Sequence, residues 1–188
     1  MADRVVESSD IEVPEIPELL EKVLLFCLEE SKEKMLAGND IVPFTALVVK
    51  ENLFLENHPG ETAEQCFAFA RHTVANARGA EAYALCYDGY LEVDDEVKDC
   101  LIAEGGIPGE EEGYAVGILY VADDEGKLTF EAEPAYIGAS PNFMEDLKDA
   151  DAYAEEEIDE KYLDGDCADE GADGELEAAE EEIDAVEE

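Results

Sequence analysis

Basic residues are scarce in this chain: 11 Lys and Arg stand against 53 Asp and Glu, for a net charge of −42. A surface that grips phosphates needs clustered Lys and Arg, so direct nucleic-acid binding is excluded, and an anionic membrane repels the chain for the same reason. Histidine is scarcer still, with only His58 and His72. That rules out a His-rich zinc site, and the cysteines at 27, 66, 86, 100 and 167 lack the paired spacing of a Cys/His site. Five cysteines without a CxxC pair point to reduced thiols and a cytoplasmic location. No apolar run approaches the ~18–20 residues of a membrane span. The segment "MADRVVESSDIEVPE" has neither the basic nor the apolar region of a secretory signal. The glycine-rich "GGIPGEEEG" (105–113) fits neither dinucleotide nor P-loop spacing, and its glutamates repel phosphate. It reads as a flexible hairpin loop, and no cofactor is expected.

What is present is enough apolar residue, 46% of the chain, to build a core in 188 residues. Leu20, Val23, Leu24, Cys27, Leu28 and Met35 recur at helical spacing between Pro17 and "AGN" (37–39), which predicts a first helix. "IVPFTALVV" (41–49) and "LFLE" (53–56) predict a hairpin. Thr62 and Gln65 form a capping box for a second helix, whose stripe runs Ala63, Cys66, Phe67, Ala70, Val74 and Ala77 before Gly79. Strands follow at 82–93, 98–105 and 114–121, with a weaker one at 127–133. "SPNF" (140–143) predicts a third helix with Ser140 as its cap.

The fold class is therefore α+β: an antiparallel sheet of five to six strands with two to three helices, in the order α-β-β-α-β-β-β(-β)-α, followed by an acidic tail. Residues 1–14 form a flexible leader, 15–163 a single domain and 164–188 a disordered tail with 13 acids and no base. The element order is similar to that of roadblock or profilin-like domains. That resemblance, carried by topology and not by any motif, implies an adaptor or dimerisation module.

In "AYALCYDGYLEVDD" (82–95), large and small residues alternate as in a strand, and Asp88-Gly89 reads as a bulge within it. Cys66 and His72 lie six residues apart on one helix, so their side chains point apart and do not make a nucleophile–base pair. His58, in "NHPGE", has Glu56 and Glu61 beside it, which favour a proton on its ring. His58, Tyr87, Asp88 and Tyr90 form the candidate ligand site. In the tail, Asp164, Asp166, Glu170 and Glu175 match part of a calcium loop, but Ala168 and Asp169 break the pattern. Leu176, Ala179, Ile183 and Val186 are spaced as the seam of a helix, a candidate partner-binding surface.

The leading functional expectation is a non-enzymatic acidic adaptor for a basic protein partner, with a homodimer as a second form of association. The alternatives are a small-molecule or enzymatic domain using the His58 and Tyr87–Tyr90 site, and an acidic surface adapted to high salt.

Overall fold

In the computed structural model, residues 3–5, 14–93 and 96–152 are described. The first long element, helix α1 (Glu18–Leu36), starts where Pro17 supplies both a fixed φ and the carbonyl that accepts from the Glu21 amide at 2.9 Å. Leu20, Val23, Leu24, Cys27 and Leu28 are its buried stripe, each side chain contributing about 1.5–3 kcal/mol of burial. Strands β2 (Phe44–Val49) and β3 (Asn52–Asn57) make the expected hairpin. Its turn is Lys50-Glu51, with Lys50 at φ 57. Helix α2 (Ala63–Ala75) is capped as its sequence requires: the Thr62 hydroxyl accepts from the Gln65 amide, and the Gln65 side chain accepts from the Glu61 amide.

Strand β4 (Ala82–Val93) is the centre of the sheet. Ala82, Ala84 and Cys86 face α1, while Tyr83, Leu85, Tyr87 and Leu91 face α2. Its partner β5 (Glu96–Gly106) runs antiparallel from Tyr83↔Gly106 to Val93↔Glu96 without interruption. Asp88 and Gly89 therefore sit in regular register, opposite Leu101 and Cys100, and the expected bulge is absent. The register is set by tertiary pairing with β5, which overrides the local turn signal of Asp-Gly.

Beyond β5 come β6 (Glu112–Ala122), β7 (Leu128–Phe130) and β8 (Ala135–Pro141). The sheet order is β3-β2-β4-β5-β6, with β8 and β7 sharing the far edge of β6. A short strand, β1 (Asp3–Val5), pairs parallel with β4 at Tyr90–Glu92 on the same edge that β2 occupies at Ala82–Cys86. The α+β class and the antiparallel sheet match the sequence reading; β1 and β8 add to it.

The segment "SPNF" ends a strand instead of capping a helix. Pro141 lies at an outer strand of the sheet, where a missing N–H costs little. Asn142 beyond it is buried, and its amide donates to the carbonyls of Ile107 and Glu110 at 2.8 and 2.7 Å while its oxygen accepts from the Met144 amide. The glycine-rich loop between β5 and β6 is thus pinned. Residues 150–152 form a helical turn at the end of the described segment. The tail 164–188, its seam Leu176, Ile183 and Val186, and the calcium-like acids lie outside the described residues.

Lys50 occupies the left-handed region without glycine's freedom from a Cβ. Lys50→Gly is expected to stabilise the fold by about 0.5–1 kcal/mol, read as a melting temperature about 2–4 °C higher. A drop in melting temperature would refute the strain at this turn.

Candidate functional site

The pairing of β4 defines where a site forms. On one edge, β2 ends at Cys86 and β1 begins at Tyr90. Between them an open groove of about 960 Å³ passes from one face of the sheet to the other. The C-terminal end of α1 and the loop after it (Met35 to Pro43) form one wall, and the start of α2 (Gly60 to Phe67) another. The β6–β7 turn, with Lys127 and Leu128, closes the third side.

Strand alternation sorts the candidate residues. His58 and Tyr87 belong to the α2 side, Asp88 and Tyr90 to the α1 side, and of the four only Tyr87 and Asp88 line the groove. His58 is only 3% exposed, with Nε2 at 2.9 Å from the Thr45 hydroxyl. Its amide donates to the Pro43 carbonyl at 2.7 Å. Burial lowers its pKa, outweighing the opposing charge of Glu56, so the ring is neutral where the flanking glutamates suggested a proton. Tyr87 is buried edge-on against Phe67 at 4.9 Å, and its hydroxyl donates to Glu104 at 2.6 Å.

Asp88 makes the more reactive arrangement. The Tyr120 hydroxyl donates to its Oδ1 at 2.7 Å. Burial raises the Asp88 pKa; the Tyr120 hydrogen bond works against this, and the nearby Asp99 charge adds to it. Tyr120 is itself pushed up by burial and by the Asp88 carboxylate. Asp99 and Tyr120 come from β5 and β6, and only the sheet register brings them to Asp88: Tyr90 pairs with Asp99, one step from Cys100↔Leu119. Nothing local in the sequence signals that meeting.

The thiols are enclosed. Cys86 lies 3.2 Å from the buried Ser31 hydroxyl, and burial pushes its pKa up to about 12. Cys100 is likewise raised to about 12, and Cys27 is raised by burial too. These behave as packing groups. Cys66 is buried and His72 exposed, its ring near the Asn76 amide, in keeping with their helical phase. Among the described residues, no helix is long and apolar enough to cross a membrane, and no group of three His, Cys, Asp or Glu is placed to share a metal ion.

No family model, no curated protein and no solved structure matches this chain. The likeness to roadblock or profilin-like domains thus rests on element order alone.

Two titrations of opposite sign follow. A raised Asp88 pKa favours the protonated folded state, so its contribution is present below the unfolded value near 3.8 and is lost as pH rises through the folded pKa. Asp88→Asn keeps an acceptor for Tyr120 and is expected to stabilise the fold at pH 7, with the gain shrinking in acid. A lowered His58 pKa disfavours the charged folded state, so stability falls as pH drops below the unfolded value near 6.5 towards the folded pKa. His58→Gln is expected to flatten that limb. Denaturant midpoints across pH test both; an Asp88→Asn variant less stable than wild type at pH 7 contradicts the first.

Proposed function

We propose that this chain is a non-enzymatic acidic binding module that receives a basic segment of a partner protein in the groove beside Asp88. The observation that carries the reading is the groove's charge: carboxylates at Asp40, Glu61, Asp88 and Asp99 against one base, Lys127. Apolar surface from Met35, Phe67 and Leu128 lies between them. Such a mixture suits a Lys or Arg side chain, whose stem packs while its head meets a carboxylate. A cation placed there also relieves the cost of burying Asp88 next to Asp99.

A second reading, a small-molecule or enzymatic site, is favoured by one observation: a carboxyl with a raised pKa bonded to a tyrosine in a cavity. It has less support, because His58 and Tyr90 do not line the groove and the Tyr87 hydroxyl is engaged by Glu104.

The test uses a short peptide of alternating Lys and Leu, titrated calorimetrically into the full chain at low and physiological salt. Binding is expected to weaken as salt rises. The double variant Asp40→Asn/Asp99→Asn removes two of the 42 net charges, yet is expected to weaken binding about tenfold. Unchanged affinity in the variant would mean the peptide answers to the overall field and not to the groove.

A further inference from the structure

The other end of the sheet carries an unguarded edge. Strand β3 is terminal in the strand order, and among the described residues no strand pairs with its outer side. Natural edges of this kind are blunted by Lys, Pro or a bulge. Residues 51–57 contain no Lys and no Pro, and the β2–β3 register runs unbroken from Phe44↔Asn57 to Val49↔Asn52. Instead the edge presents Leu53, Phe54 and Leu55, which are 39, 55 and 49% exposed.

The direction of the backbone groups follows from the register. The His58 amide donates to the Pro43 carbonyl, continuing the Phe44↔Asn57 alignment. In an antiparallel pair such bonds occur at every second residue, so the even-numbered residues of β3 bond to β2. The N–H and C=O groups of Leu53, Leu55 and Asn57 therefore point outward.

The sequence at this edge is Glu51-Asn52-Leu53-Phe54-Leu55-Glu56-Asn57, nearly the same read in either direction. We infer that β3 pairs antiparallel with β3 of a second copy of this chain, centred on Phe54 and joining the two sheets about a twofold axis. In that register Phe54 faces its own copy, and Leu53 faces Leu55 of the other chain. Asn52 faces Glu56, and Glu51 faces Asn57. Each carboxylate thus meets an amide donor, and no two carboxylates are directly opposed. Outward-facing residues bond only to outward-facing residues, which restricts the pairing to registers that match odd positions with odd positions. The Phe54 centre is one of these. Leu53 and Leu55 would stack on the α1 side of the joined sheet and Phe54 on the α2 side, so both faces gain apolar contact. Such an interface is self-complementary, as a twofold dimer demands.

Two facts set its strength. One strand per chain buries less than the roughly 1,200–2,000 Å² typical of tight complexes. Two chains of net charge −42 also repel at long range, and salt screens that repulsion. The dimer is weak and concentration-dependent, and it tightens as salt rises. Binding of a basic peptide in the groove responds to salt in the opposite sense, so the two proposals stand or fall separately.

Sedimentation equilibrium of the full chain, over a wide range of concentration at low and high salt, measures the association. Wild type is expected to dimerise more tightly at high salt. Asn52→Asp sets a carboxylate opposite Glu56 twice per dimer and is expected to weaken association at least tenfold at low salt. Asn52→Lys sets a cation there and is expected to tighten it. Leu55→Pro removes an outward N–H while leaving the β2–β3 bonds, and is expected to give a folded monomer by circular dichroism. A wild-type chain that stays monomeric in every condition, as it would if a partner strand or another segment of the chain covered the edge, overturns the proposal. So does a dimer that tightens as salt falls, or one indifferent to both Asn52 substitutions.

Discussion

Everything in this fold depends on β4 being buried on both faces. An antiparallel sheet commonly leaves one face to water, but here α1 covers Ala82, Ala84 and Cys86 while α2 and the segment after β8 cover Tyr83, Leu85 and Tyr87. The small residues on the α1 side let that helix approach closely, and Gly105 on β5 shows how close: a Cβ there would clash with the Tyr83 carbonyl of the neighbouring strand and lie 3.0 Å from Leu20 of α1. The large aromatic residues on the other side reach further. Tyr83 stacks on Phe143 at 5.6 Å, donates to the Pro141 carbonyl and accepts from the Phe143 amide, tying the chain after β8 to the centre of the sheet.

That arrangement explains where chemistry gathers. With the middle of β4 covered, charged groups are tolerated only towards its end, where β2 has stopped and β1 has not begun. Asp88 sits at that point, half-buried and bonded to Tyr120. The acidic groove and the apolar β3 edge are at separate places on the sheet, and they answer to different forces. One depends on charge, and the other on main-chain pairing and apolar contact.

Much of the fold was legible in the residues. Helical spacing marked α1 and α2, the capping box located Thr62, and alternation marked β4 with its bounds. What was not legible had physical causes. β1 is three residues long, too short for any period to show. β8 holds Gly138, Ser140 and Pro141, which read as a helix entrance but are tolerated where pairing is one-sided. At the site, grouping Tyr87 with Asp88 by proximity ignored the strand's period of two, which sends neighbours to opposite faces. That much the sequence did contain. The partners Asp99 and Tyr120 it did not, because they reach Asp88 only through the register of three strands.

The parallel pairing of Asp3–Val5 with Tyr90–Glu92 has a consequence for the order in which the molecule assembles. As the chain leaves the ribosome, β2 and β3 meet across a two-residue turn as soon as both exist. The first strand must wait until α1, that hairpin, α2 and most of β4 have been made, and closing so long a loop is slow. A segment made before α1 is therefore seated after it, and its docking requires β4 to be largely built already.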